Sequence, residues 1–178
     1  MNPTDEFNKL TSLFPDGEKL FERASHVASA LTPEPYKRLL VHEHHMTVTM
    51  EHFHHTSVTV QVLDRRLDGD IYSRKILLQS SDDGRVVQFG IVRFDLGVVL
   101  PRVREEILSE TTPLGRILIN YNVLRHIDLG AILRIVPGPE LQGHFACAAA
   151  RTTYGRMATI FCNQQPAVDL LEISSPLD

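Results

Sequence analysis

The strongest constraint on how this chain folds is a change of hydrophobic period partway along it. Up to about residue 42 apolar residues recur at helical spacing, and from Met46 they alternate with polar ones. Phe7, Leu10, Leu13 and Phe14 fit a helix capped by Thr4 and ended by Pro15-Asp16-Gly17. Leu20, Phe21, Ala24, Val27, Ala28 and Leu31 predict a second helix over 18–31, and Pro35 starts a short third one through Leu40. Met46, Val48 and Met50 then read as a strand, as do Val58, Val60 and Val62, with His54-His55 near the turn between them. Further strands are predicted at 72–79, 86–94, 128–136, 144–160 and 167–173. Asp68-Gly69-Asp70, Asp82-Asp83-Gly84 and Asn163-Gln164-Gln165-Pro166 supply the turns, while Pro101 and Pro113 each open a short helix.

Helices first and hairpin-linked strands after predict an α+β domain with a mainly antiparallel sheet. No repeat, low-complexity segment or linker divides the 178 residues. A single domain over 1–178 is expected, mainly helical over 1–42 and mainly sheet with short helices over 46–178.

Net charge is −4 and the basic residues are scattered, which argues against a nucleic-acid partner. The start, Met1-Asn2-Pro3-Thr4-Asp5-Glu6, has no apolar core of a secretory signal, and no apolar run approaches the roughly 20 residues that span a bilayer. Two cysteines, Cys147 and Cys162, make no disulfide framework. A protein of the reducing cytoplasm with no membrane partner is the expectation.

Six of the nine histidines fall between His42 and His55. On paired strands four imidazoles would come near one another, a conceivable zinc or copper site, although no Cys or Asp accompanies them. The competing reading is a solvated, pH-responsive edge. Nucleophile elbows and phosphate loops are missing, so no nucleotide cofactor is implied.

Three other features stand apart. Arg74 opens the apolar run Ile76-Leu77-Leu78. Pro113-Leu114-Gly115 is a turn into a helix, whose first N–H groups have no intrahelical acceptor. Glu172 shares a strand face with Leu170, and a carboxylate desolvated there needs a partner or a raised pKa. Together they suit a small anionic ligand.

In this order the residues resemble the chorismate pyruvate-lyase family, which converts chorismate to 4-hydroxybenzoate and pyruvate. Ser73-Arg74-Lys75-Ile76-Leu77-Leu78 is similar to the family's strand whose arginine binds the substrate carboxylate. Thr112-Pro113-Leu114-Gly115-Arg116 is similar to its helix start, whose leucine backbone meets the same carboxylate. Glu172, six residues after Pro166, resembles the carboxylate at the other end of the bound ring. Met46-Thr47 resembles a methionine-threonine pair whose methionine lines the site. The similarity spans roughly 35–178.

The family's bulky residue two places after the glutamate is here Ser174, though the proline at 176 is kept. The stretch from Gly115 to Glu172 is longer than in compact bacterial lyases, and that from Met46 to Arg74, part of a flap in the family, is shorter. The resemblance implies a chorismate lyase-like fold, with helices packed on one side of the sheet and a small pocket between. It implies catalysis by Arg74 and Glu172, with Met46, Leu114 and Gly115 as further substrate-binding residues. No metal or organic cofactor enters that reaction. Two other functions stay open: a non-catalytic module binding a small aromatic acid, since effector domains of some transcription regulators share this fold, and a metal-dependent protein using His42–His55.

Overall fold

The computed structural model describes residues 2–15, 17–149 and 151–177. Asp16, the middle of the predicted Pro15-Asp16-Gly17 turn, lies outside the described residues, as do the chain ends Met1 and Asp178. Seven strands form one antiparallel sheet: β1 (Phe21–Val27), β2 (Val58–Asp68), β3 (Ile71–Ser80), β4 (Val86–Asp95), β5 (Arg125–Pro137), β6 (Thr153–Cys162) and β7 (Gln165–Ser174). Their spatial order is β1-β5-β6-β7-β4-β3-β2. The helices are α1 (Pro3–Thr11), α2 (Tyr36–Leu40), α3 (Met46–His54), α4 (Pro101–Ser109), α5 (Leu114–Asn120) and α6 (Pro139–Phe145).

The architecture is α+β with an antiparallel sheet. Helices α2 to α5 lie on the face that carries Arg74, Val92, Ala158 and Leu170. In addition, α1 and α6 cover part of the opposite face, where Leu10, Phe14 and Leu141 pack on Leu77, Phe89, Ile91 and Leu171. Cover on both faces explains why β3 and β4 are buried along nearly their whole length rather than alternately.

Three segments differ from expectation. Residues 18–31 hold β1 and a single 3₁₀ turn, Ser29–Leu31, rather than one long helix: Phe21, Ala24 and Val27 keep a spacing of three, but β5 offers an open edge whose backbone groups β1 satisfies. Met46–His54 is a helix rather than a strand. Met46 and Met50, four apart, are its buried stripe with Thr47, while Val48 is exposed, so the apparent alternation is one helical face. The predicted strand over 144–160 splits. Pro139 opens α6, Ala146 ends it in the left-handed region at φ 49°, and β6 begins only at Thr153.

Elsewhere the predicted strands and turns are present. The β6–β7 hairpin turns on Asn163 and Gln164, both at positive φ as its two-residue loop demands. Cys162 is buried on β6, and both cysteines are free thiols.

Candidate functional site

Four neighbouring central strands each place one polar side chain on the same sheet face. Arg74 on β3 is opposite Val92 of β4, and Leu78 is opposite Gln88. Gly90 of β4 is opposite Glu172 of β7, which is opposite Arg156 of β6. Directly opposed residues of an antiparallel pair share a face, so Arg74, Gln88, Glu172 and Arg156 point the same way. Above them lie the starts of α3 and α5. The cavity between is small, about 40 Å³ open to the centre of a water-sized sphere, and its walls include Met46, Arg74, Leu114, Gly115 and Glu172. The five residues singled out from sequence therefore border one cavity. Its remaining walls include Val60, Ile76, Ile127 and Ile160, which makes the lining predominantly apolar.

The helix starts approach each other closely. A Cβ on Gly115 would stand 2.9 Å from Thr47 Oγ1 and 3.1 Å from His45 Cβ, so a residue without a side chain is needed where α5 meets α3. The caps of both helices, His45 and Pro113, offer no side-chain acceptor to the first turn. The first N–H groups of two helices thus open beside the cavity without an intrahelical partner.

Arg74 is 2% exposed, and its Nη1 has no hydrogen-bond partner. Burial pulls its pKa down from the ordinary arginine value; the Tyr72 phenol and, more weakly, the Glu110 carboxylate oppose that shift. Tyr72 donates to Glu110 Oε1 at 2.6 Å, and burial followed by that bond pushes the phenol pKa up to about 12. A desolvated guanidinium with an idle N–H in an apolar cavity is a site for an anion.

Glu172 has its partner. Arg156, fully buried, donates from Nε to Glu172 Oε2 at 2.8 Å. The rest of that guanidinium reaches the segment before α3: Nη1 donates to His42 O at 2.9 Å and Nη2 to His44 O at 2.9 Å. Arg156 thereby ties the sheet to the segment that enters the cavity roof. Among the described residues, Glu172 Oε1 accepts no hydrogen bond and remains available. Sequence reasoning missed Arg156 and Gln88. The signal was the one that marked Glu172: a polar residue sharing a strand face with apolar neighbours, here Ala158 and Ile160 for Arg156, and Gly90 and Val92 for Gln88.

The histidines do not form the hairpin pair that the strand reading suggested. His42 and His44 stack at 5.4 Å between ring centres on the segment held by Arg156. His42 Nε2 donates to Leu39 O at 2.7 Å while Nδ1 accepts from the His44 N–H. His45 Nε2 accepts from Arg125 Nε at 2.7 Å. Burial, reinforced by Arg156 at His42 and by Arg125 at His45, lowers each pKa to about 4, so both rings are neutral at pH 7. Among the described residues no three His, Cys, Asp or Glu side chains gather as a set able to hold a metal ion. No described helix is long and apolar enough to cross a membrane.

No family model and no curated protein matches the sequence. Solved structures do. The effector domain of PhnF from Mycobacterium smegmatis is similar with a TM-score of 0.52 at 10% identity, over 74% of this chain and 88% of that one. The PhnF chain from the same organism gives 0.50 at 10% identity, over 74% of this chain and 63% of its own length. The ligand-binding domain of a putative GntR-family transcriptional regulator from Bordetella bronchiseptica gives 0.50 at 10% identity, over 66% and 85%. At such identities the likeness is one of fold. It establishes a chorismate lyase-like fold, and the protein domains that share it here include effector and ligand-binding domains.

Proposed function

We propose that the cavity binds a small aromatic carboxylic acid. The observation that carries this reading is Arg74, a buried residue in the wall of an apolar cavity whose Nη1 has no hydrogen-bond partner. A buried guanidinium N–H without an acceptor is costly, and a ligand carboxylate there converts that cost into a charge-assisted bond. The N–H groups at the start of α5, around Leu114 and Gly115, are the second carboxylate contact, and Met46 with Ile76 and Ile160 packs on the ring. Neighbouring folds described as effector and ligand-binding domains support binding. Titration of the protein with 4-hydroxybenzoate tests it: a saturable heat of binding that is lost in Arg74→Met is expected, and no heat in the parent protein sinks the reading.

A finer reading, elimination of pyruvate from chorismate, is favoured by the free Glu172 Oε1 on the strand next to the one opposite Arg74. The ether C–O bond of the enolpyruvyl group breaks and the adjacent ring proton leaves. The ring aromatises to 4-hydroxybenzoate, and the departing enolpyruvate takes up a proton to become pyruvate. Arg74 fixes the ring carboxylate, and Glu172 faces the oxygen substituents, so the site's part is to hold a reactive geometry. Release of 4-hydroxybenzoate and pyruvate in equal amounts, absent in Glu172→Ala, is the expected result. Tight binding of 4-hydroxybenzoate with no turnover of chorismate leaves the binding module as the function.

A further inference from the structure

An aromatic ring does not fit the cavity in its closed form. The cavity offers about 40 Å³ to the centre of a water-sized sphere, whereas an apolar cavity that takes up benzene has about 150 Å³. Part of the wall must move before the acid proposed above can enter, and the structure restricts which part.

The floor is fixed. Arg74, Gln88, Glu172 and Arg156 stand on β3, β4, β7 and β6, and each of these strands has a hydrogen-bonded neighbour on both sides. The main chain of the roof is held as well. Arg156 binds the carbonyls of His42 and His44, and the His45 carbonyl accepts from the Thr49 N–H and from Thr49 Oγ1, both at 3.1 Å. Met46 and Thr47, which follow, are buried.

The His45 side chain is the part left to move. His45 borders both the cavity and an open outer hollow of about 440 Å³ on the same measure. Ile127 is the other residue common to the two, and it is buried in the core around α5. A hollow beside α1 shares Leu170 with the cavity, but Leu170 belongs to the fixed central strand β7. The His45 imidazole is half-buried, and its bond is to Arg125, whose Nε donates to Nε2 at 2.7 Å. Arg125 lines the hollow and not the cavity, so the ring is held from its outer side. Rotation about the His45 side-chain bonds gives up that one bond and needs no change in the backbone.

Building on the carboxylate reading of Arg74, we infer that the His45 imidazole is a side-chain gate: the bond from Arg125 holds it shut in the free protein, and an aromatic acid is bound with the ring swung towards the outer hollow. The latch then opposes binding, because only the open fraction of molecules accepts the ligand. A hydrogen bond from a charged donor biases that equilibrium by about tenfold or more.

The experiment compares the parent protein with Arg125→Met and His45→Ala, using calorimetric titration and rapid-mixing kinetics with 4-hydroxybenzoate. Arg125→Met removes the latch and keeps the imidazole; His45→Ala removes the imidazole and keeps the Arg125 charge. Both are expected to bind about tenfold tighter than the parent, with the gain in the association rate and dissociation rates within about threefold of the parent's. A residue that merely supports the fold would give weaker binding when removed. Thermal melting shows which variants are folded. Parental or weaker affinity in folded His45→Ala overturns the inference, and Arg125→Met decides it in the same way if His45→Ala does not fold. Tighter binding that comes only from slower dissociation overturns it too. If the gate fails while 4-hydroxybenzoate still binds the parent in an Arg74-dependent way, the carboxylate reading stands alone. If neither the parent nor a folded variant binds the acid, both fall together.

Discussion

Arg156 and Glu172 are cross-strand neighbours on β6 and β7, joined by a 2.8 Å Nε–Oε2 bond, and the same guanidinium holds the carbonyls of His42 and His44. One buried cation therefore sets both the orientation of the cavity's carboxylate and the position of the segment leading into its roof. The pair is worth less as net stability than as geometry, because desolvation offsets much of its attraction.

Breaking the pair from one side is the severe change. Arg156→Met strands Glu172 and frees two carbonyls, and is expected to cost about 3–5 kcal/mol in urea denaturation. Adding Glu172→Leu to it should recover a large part of that loss. Additive losses in the double variant would show that the two side chains act independently.

Arg74 predicts the opposite balance between stability and function. Its buried Nη1 is unpaired in the free protein, so Arg74→Met should leave stability unchanged or raise it by about 1 kcal/mol. The same variant should weaken binding of 4-hydroxybenzoate by about 100-fold or more, the loss of a buried charge-assisted contact. A variant that melts several degrees lower and still binds contradicts the role given to Arg74.

Gly115→Ala forces a Cβ against Thr47 Oγ1 and His45 Cβ, where α5 meets α3. A cost of about 1–3 kcal/mol is expected from overpacking, measured as a shift of the denaturation midpoint. Thr47→Ala in the same chain removes the nearest atom and should restore part of it. No restoration would place the strain at the His45 contact instead.

Stability should fall on acidification before the carboxylates titrate. His42 and His45 have folded-state pKa values of about 4 against an ordinary 6.5. Below 6.5 the unfolded chain takes up protons that the folded protein refuses, so stability declines as pH drops from 6.5 towards 4 and levels off below that. Each histidine contributes a slope of about 1.4 kcal/mol per pH unit within the window. Urea midpoints at several pH values check this, and His45→Gln should flatten the slope by about half of the combined effect. A flat profile between pH 7 and 5 contradicts it.

Several residues of the cavity wall were readable before any fold was known, for a physical reason. Glu172 and Arg74 are charges inside apolar runs, and strand alternation puts them on a buried face whatever their neighbours are. Arg156 and Gln88 carry the same mark and went unread: Arg156 was lost within one long predicted strand over 144–160, and Gln88 within the hairpin strand after Gly84. The helix at Met46–His54 was unreadable from spacing alone, because Met46 and Met50 satisfy both a period of two and a step of four. Only the apolar patch formed by Leu39, Leu40, Ile76 and Leu78 decides which of them is buried.

By itself the sequence determined the α+β class, the hairpins and helix starts from β2 to α5, the β6–β7 turn, and five residues that border the cavity. Those features follow from local chemistry: alternation, turn residues, proline at helix starts and charges that cannot be solvated. The tertiary structure alone decided that 21–27 completes the sheet edge and that helices cover both faces. It alone paired Glu172 with Arg156 and left Arg74 Nη1 and Gln88 Oε1 without hydrogen-bond partners, both on residues that line one cavity. Such matters depend on which strands become neighbours. Register sets a hydrogen-bond partner at a distance of many residues, and no local pattern encodes it.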